Sequence, residues 1–167
     1  MDSVAGLFEE FAIFALLVAL VAAALSDART YLIPNRYAAA IVAAFPFFAF
    51  GKPLDVWLFG LLAGVLLLSA GTALFARRLL GGGDVKLLAA IGLWSGFAQL
   101  PLLLMGTALA GGALAIAYLS PLHNLLPLRS GSGAVSGDLR SRLQEPIPFG
   151  IAIAFGGMCV ALSLSIS

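Results

Sequence analysis

Charged residues, histidine and cysteine are scarce in this sequence. Only 10% of the 167 residues are charged, whereas a soluble domain carries about 25%. The net charge is +1 and no basic stripe is present, which excludes a surface built to neutralise nucleic-acid phosphates. The one cysteine, Cys159, cannot form an internal disulfide, and the one histidine, His123, has no cysteine or histidine beside it. We therefore expect no metal site and no cofactor.

Apolar residues dominate what remains. They make up 62% of the chain, and the mean hydropathy is +1.08. A membrane span needs about 20 apolar residues, or somewhat fewer when flanking groups snorkel. The candidate spans are residues 7–25, 37–50, 56–75, 85–97, 101–119 and 147–166, of which the fourth is short enough to be partly re-entrant. The sequence thus predicts an all-α membrane protein, a polytopic bundle of about six transmembrane helices. We expect one domain over residues 1–167 and no removed signal peptide.

Basic residues lie in alternate loops between these segments. Eight of the nine lysines and arginines fall in three such loops, and Lys52 alone falls on the other side. The positive-inside rule then predicts that both termini lie outside and that the three basic loops lie in the cytoplasm. Residues 122–145, within the last of these loops, are predicted to form a mobile cytoplasmic loop. Trp57 and Trp94 are expected at the outer membrane interface, as belt aromatics.

Two aspartates stand where an apolar segment meets a polar break. Asp27 lies in Ser-Asp-Ala-Arg-Thr-Tyr-Leu-Ile-Pro-Asn, and Asp84 lies in Gly-Gly-Gly-Asp-Val-Lys. Ionisable residues at the edge of a membrane segment are costly and usually mark function. Both aspartates are predicted in cytoplasmic loops, so their carboxyls can meet at one depth. An aspartic peptidase uses such a pair, which shares one proton and titrates as a unit.

Each aspartate also has a purely structural interpretation. Asp27 could cap a helix or pair with Arg29. Asp84 could be the N-cap of the fourth segment, with Lys86 as a nearby counter-charge. Spacing alone leaves the structural and functional interpretations open.

Glycines are placed where close approach of backbone is expected. Those at positions 81–83 permit tight turns and the approach of an extended substrate. A phosphate-binding loop would need a following Gly-Lys-Ser/Thr, and none follows. The pairs Gly60/Gly64 and Gly92/Gly96 have GxxxG spacing, which predicts close helix packing.

Three stretches resemble the type IV prepilin peptidases, in the small single-domain branch associated with Tad/Flp pili. They are residues 27–35 (DARTYLIPN), 81–91 (GGGDVKLLAAI) and 146–154 (PIPFGIAIA). The second fits the GxGD signature of intramembrane aspartic peptidases, read as Gly81, Gly83 and Asp84. The Val-Lys-Leu-Leu continuation is similar to that of prepilin peptidases and differs from that of presenilins.

The resemblance implies that Asp27 and Asp84 are the catalytic pair of a membrane-embedded aspartic endopeptidase. Such an enzyme removes the short basic leader of a prepilin after a glycine, at the cytoplasmic edge of the bacterial inner membrane, for pilus biogenesis. Prepilin, the lipid bilayer and the pilus-assembly machinery are the implied partners. The residues implied to shape the substrate site are Gly81, Gly83, Lys86, Pro34, Asn35, Pro148, Phe149 and Gly150.

Larger family members also N-methylate the new N-terminus and carry an extension with zinc-binding cysteines. This sequence has neither the extension nor those cysteines, so peptidase activity alone is expected. Three alternatives stay open on the residues. One is another GxGD protease of the presenilin or signal-peptide-peptidase type, and a second is a small transporter with the two aspartates as an ion site. The third is a non-enzymatic pilus-assembly scaffold that keeps the fold.

Overall fold

A computed structural model describes residues 2–119 and 148–166 of the chain. The described residues form six helices and contain no strand, which confirms the predicted all-α bundle. The helices are α1 (Asp2–Thr30), α2 (Asn35–Phe48), α3 (Leu54–Ala76), α4 (Gly82–Ser95), α5 (Leu100–Leu119) and α6 (Phe149–Ile166). The predicted mobile loop, residues 122–145, lies outside the described residues.

Helix length separates the six elements into two groups. Four helices are long and apolar enough to cross a membrane, and the apolar segments are Val4–Thr30, Leu54–Ala76, Leu100–Ala117 and Phe149–Ile166. α2 and α4 have 14 residues each. Such helices are about 21 Å long, which is less than the ~30 Å hydrocarbon core of a bilayer. The second and fourth predicted spans are therefore shorter than a full crossing.

α4 lies at the centre of the bundle, which accounts for its short length. It contacts α2, α3, α5 and α6, while α1 packs against α2 and α6, and α5 packs against α6. Buried side chains occur on every face of α4, and they include Leu87, Ile91 and Trp94. A helix enclosed by other helices does not need a full-length apolar surface for lipid.

Glycines allow α3 and α4 to pack closely. A Cβ atom at Gly60 would lie 2.5 Å from the carbonyl oxygen of Leu93 on α4. Cβ atoms at Gly64 and Gly92 would also meet the facing helix, at 3.2 Å and 2.6 Å from their nearest atoms. The predicted packing role is confirmed for these three glycines. Gly96 has another role, because it ends α4 with a φ of 51°.

Trp94 lies in the core rather than at the membrane interface, so its predicted place in an aromatic belt is wrong. Its side chain is 3% exposed, and its indole Nε1–H donates to the carbonyl oxygen of Ile41 at 3.0 Å. The rings of Phe45 and Phe48 pack against it. Large apolar side chains instead cover the outer faces of α3 and α5, as expected of surfaces that meet lipid; they include Leu58, Leu61, Val65, Met105, Leu109 and Ile116.

The chain direction gives the bundle two distinct ends. We call the end where α1 stops at Thr30 and α4 starts at Gly82 the aspartate end, and the opposite one the far end. At the far end, Glu9 of α1 and Leu164 of α6 line one groove of about 430 Å³. The first and the last described residues of the chain therefore lie at the far end of the bundle.

Candidate active site

A cavity of about 720 Å³ opens at the aspartate end. Asp27 and Tyr31 line it from the end of α1, Gly81 and Asp84 from the start of α4, and Phe149 from the start of α6. The remaining lining residues come from the end of α3 and the turn after it, and they are Phe75, Ala76, Arg78, Leu79 and Leu80. Four helix ends thus enclose one cavity, and both predicted aspartates face it.

Asp27 projects from the last turns of α1. The prediction that it lies in a loop is wrong, because α1 continues to Thr30 and ends only where Tyr31 adopts a φ of 53°. The backbone N–H of Tyr31 donates to the carbonyl oxygen of Asp27 at 2.9 Å, as in a left-handed helix cap. The Asp27 side chain is 5% exposed, and among the described residues it is the only charged side chain that is buried.

A hydrogen bond from α6 stabilises the buried Asp27 carboxyl. The backbone N–H of Gly150 donates to Asp27 Oδ2 at 2.8 Å. A Cβ atom at position 150 would lie 2.8 Å from the same oxygen, so only glycine allows this approach. The first turn of α6 has N–H groups without partners inside the helix, and such a turn is a suitable donor to a carboxylate.

Asp84 lies in the first turn of α4, ahead of the apolar segment that begins at Val85. It is not the N-cap, because Gly81 occupies that position and Asp84 comes three residues later. Asp84 Oδ2 accepts a hydrogen bond from the backbone N–H of Gly81 at 3.2 Å. Burial raises the pKa of the Asp84 carboxyl to about 6, and the like charge of Asp27 contributes to that rise. The Asp27 carboxyl is therefore close enough to affect the ionisation of Asp84.

The turn between α1 and α2 is tied to both neighbouring helices. The hydroxyls of Ser26 and Thr30 donate to the carbonyl oxygen of Leu32 at 3.0 Å and 3.2 Å. Lys86 Nζ, from α4, donates to Asn35 Oδ1 at 2.9 Å. Lys86 thus bonds to the start of α2, whereas the sequence suggested Lys86 as a counter-charge for Asp84.

The eight predicted site-shaping residues fall into two sets. Gly81 and Phe149 line the cavity. The others are absent from the described lining and lie behind it: Gly83 and Gly150 contact Ile33, Lys86 and Asn35 bond to each other, Pro34 precedes α2, and Pro148 is fully buried before α6. These six residues can act on the cavity only through the elements they hold.

Sequence reasoning missed two cavity residues with unusual backbone. Tyr31 and Arg78 both line the cavity, and both have positive φ, at 53° and 59°. Arg78 sits in a Schellman-type turn, where its N–H donates to Phe75 O at 2.9 Å and the N–H of Leu79 donates to Leu74 O at 3.0 Å. Tyr31 lies within the stretch 27–35 and Arg78 in a basic loop, so position alone could have indicated them.

The cavity brings several ionisable side chains together. It offers two coupled carboxyls and an arginine at a helix end. Within the described ranges, no three histidine, cysteine, aspartate or glutamate side chains cluster as metal ligands would. Two carboxyls that line one cavity can act as a paired acid and base.

Known proteins resemble this chain over most of its length. Two proteins named prepilin leader peptidase/N-methyltransferase are similar to it. The one from Burkholderia pseudomallei (strain 1026b) is 32% identical over 102 residues, which cover 61% of this chain and 24% of the relative. The one from Bacillus subtilis (strain 168) is 32% identical over 149 residues, which cover 86% of this chain and 52% of the relative.

The matched part of each relative is limited. The chain spans about a quarter of the length of the Burkholderia protein and about half of the Bacillus protein. No solved structure matches the chain. The sequence profile of the type IV leader peptidase family matches residues 14–116, which include Asp27 and Asp84. Because this match covers more than half of the sequence, the chain belongs to the type IV leader peptidase family.

Proposed function

We propose that this chain is an aspartic endopeptidase of the bacterial inner membrane that removes the basic leader of type IV, Flp-like prepilins on the C-terminal side of a glycine. The observation that carries the proposal is the shared cavity of Asp27 and Asp84. The family and the names of the two relatives support leader processing as the reaction. Pilus-assembly proteins would then receive the product.

The proposed mechanism divides two roles between the carboxyls. Asp84, whose pKa is raised to about 6, holds the shared proton and donates a hydrogen bond to the scissile carbonyl oxygen. Asp27 acts as the base that takes a proton from the attacking water. When the tetrahedral intermediate collapses, the C–N bond breaks and the amide nitrogen receives the proton that Asp27 took from the water. The products are a leader that ends in glycine and a pilin with a new N-terminus.

The location of the cavity suits a substrate that is part leader and part membrane helix. Of the six lysines and arginines in the described residues, all but Lys52 lie at the aspartate end. By the positive-inside rule we expect this end in the cytoplasm. The leader of a prepilin would remain in water beside the two aspartates, and the apolar helix after it would lie in the bilayer.

The direct test is co-expression with a candidate prepilin, comparing wild type with Asp27→Ala, Asp84→Ala and the two Asn variants. The Asn variants keep side-chain size and remove ionisation. We expect each to lower the rate of leader removal by roughly 10²–10⁴-fold, the range for loss of general acid or base catalysis. Accumulation of unprocessed prepilin on a gel is the measurement.

Asp55→Asn is the matched control, because Asp55 is an exposed aspartate in the first turn of α3, at the far end. Its processing should equal that of wild type. Normal processing by the four variants at Asp27 and Asp84 would refute the assignment, whereas a scaffold or an ion site would leave the prepilin uncut with wild type as well.

A further inference from the structure

Ile33 lies between α4, which carries Asp84, and α6, whose Gly150 donates a hydrogen bond to Asp27. On one side, a Cβ atom at Gly83 of α4 would lie 3.0 Å from Ile33 Cβ and 3.2 Å from Ile33 O. On the other side, a Cβ atom at Gly150 of α6 would contact Ile33 Cδ1. Gly83 precedes Asp84, and Gly150 is the hydrogen-bond donor to Asp27. One side chain therefore separates the elements on which the two carboxyls depend.

We propose that Ile33 is a positioning residue, a spacer whose contacts with Gly83 and Gly150 set the separation between the Asp27 and Asp84 carboxyls. It does not line the cavity, so it acts through the two glycines and not on a substrate. The inference deepens the proposed peptidase function and rests on it for its kinetic consequences.

The position of Ile33 is fixed by its neighbours. Pro34 restricts the backbone of the residue before it to extended conformations. The carbonyl oxygen of Leu32 is held by hydroxyls at the end of α1, and Asn35 is held by Lys86 of α4. Branching at Cβ also limits the χ1 rotamers of isoleucine. A spacer needs this stiffness, because a mobile side chain would let the two helices shift.

The first test separates catalysis from substrate binding. We expect Ile33→Ala to lower kcat by roughly 10–100-fold, since a misplacement of about 1 Å can cost 10²-fold, while KM for a prepilin peptide stays within about twofold of wild type. Ile33→Val removes only Cδ1 and keeps both branches at Cβ, so it should lose less. Ile41→Val is the matched control, because Ile41 is a fully buried isoleucine of α2 away from the cavity.

The second test uses the asymmetry of the contacts. Ile33→Val removes Cδ1, the nearest atom that Gly150→Ala would strike, and leaves the clash with Asp27 Oδ2 at 2.8 Å. It keeps the Cβ and carbonyl oxygen that Gly83→Ala would strike. Adding Ile33→Val should therefore restore part of the kcat lost in Gly150→Ala and none of that lost in Gly83→Ala. Equal rescue of both glycine variants, or of neither, overturns the proposed geometry.

The third test needs no substrate. A hydrophobic carbodiimide labels protonated carboxyls, so the pH midpoint of labelling at Asp84 reports its ionisation. The other titratable or charged side chains that line the cavity are Asp27, Tyr31 and Arg78. In Ile33→Ala, α4 and α6 can close, which brings the Asp27 carboxyl bound to Gly150 nearer to Asp84 and should move the midpoint upward; Ile41→Val should leave it unchanged. An unchanged or lower midpoint in Ile33→Ala overturns the spacer. An upward shift in Ile33→Ala, together with a wild-type protein that cuts no prepilin, supports the spacer and refutes the proposed function.

Discussion

Asp84 holds its proton to a higher pH than an ordinary aspartate. Burial first, and then the like charge of Asp27, raise its pKa from 3.8 to about 6. The folded protein therefore binds this proton more tightly than the unfolded chain does. The resulting stabilisation is complete below pH 3.8 and is lost as the pH rises through about 6. Near neutral pH, the Asp84 carboxyl therefore exchanges between its protonated form and its ionised form.

Removing the neighbouring charge should lower this pKa. We expect Asp27→Asn to move the pH midpoint of carbodiimide labelling at Asp84 below about 6, because the Coulombic contribution of Asp27 disappears while burial remains. The midpoint should stay above 3.8 for the same reason. Labelling of the purified protein, followed by mass spectrometry of the Asp84 peptide, measures the shift. Asp55→Asn, at the far end, is the control and should leave the midpoint unchanged; an unaltered midpoint in Asp27→Asn would show that the carboxyls are not coupled.

At the residue scale, the sequence indicated the two aspartates but not the residues that hold them in position. Asp27 and Asp84 stand out because charged residues are rare in an apolar chain. Ile33 is one more aliphatic residue in the sequence, and its contacts with Gly83 and Gly150 join segments that are far apart along the chain. Such a contact depends on how three helix ends converge, which no local pattern encodes.

At the scale of elements, the pairing of α3 with α4 depends on glycines, which have no side chain to keep the two backbones apart. Apolar burial drives helix association weakly in lipid, so close backbone contact carries more of the packing energy. Gly60 and Gly64 on α3 face the backbone of α4, and Gly92 on α4 faces α3. This interface also orients the start of α4, from which Asp84 projects.

A methyl group in this interface should weaken the bundle. Gly60→Ala would bring Cβ within 2.5 Å of the carbonyl oxygen of Leu93, a backbone atom that cannot move without α4. We expect the free energy of unfolding to fall by roughly 1–3 kcal/mol, the usual cost of overpacking. Unfolding in mixed micelles of increasing sodium dodecyl sulfate content, followed by circular dichroism, gives the value. Gly6→Ala is the control, because a Cβ there meets nothing within 4 Å, and an equal loss in both variants would contradict the packing role.

The sequence predicted which segments are helical. It did not predict where each helix ends or which helix is enclosed by the others. The apolar segments predicted all six helices, because runs of apolar residues in a membrane chain have few alternatives to a helix. α1 nevertheless runs past Asp27 to Thr30, since the cost of a buried carboxyl is offset by the hydrogen bond from Gly150. Trp94 was misplaced because composition cannot tell a lipid-facing helix from one enclosed by others, as α4 is.

At the scale of the whole molecule, charge distinguishes the two ends. The described cations of the aspartate end are Arg29, Arg36, Arg77, Arg78 and Lys86. Lys52, at the far end, forms a 2.6 Å ion pair with Glu9 and lies 3.8 Å from the centre of the Phe48 ring. Among the described residues the far end thus has one cation against five at the aspartate end, and this difference in number is what the positive-inside rule uses.

This asymmetry leads to a topology that can be measured. We expect the aspartate end in the cytoplasm and the far end outside, because five cations near one end resist transfer across the membrane. In a background with Cys159→Ser, Leu54→Cys and Leu32→Cys make a matched pair, since both leucines are highly exposed, at 81% and 70%, and lie at opposite ends. A membrane-impermeant maleimide should label position 54 in intact spheroplasts and position 32 only after the membrane is opened. The reverse pattern would put the cavity outside the cell, where the cytoplasmic leader of a prepilin could not reach Asp27 and Asp84.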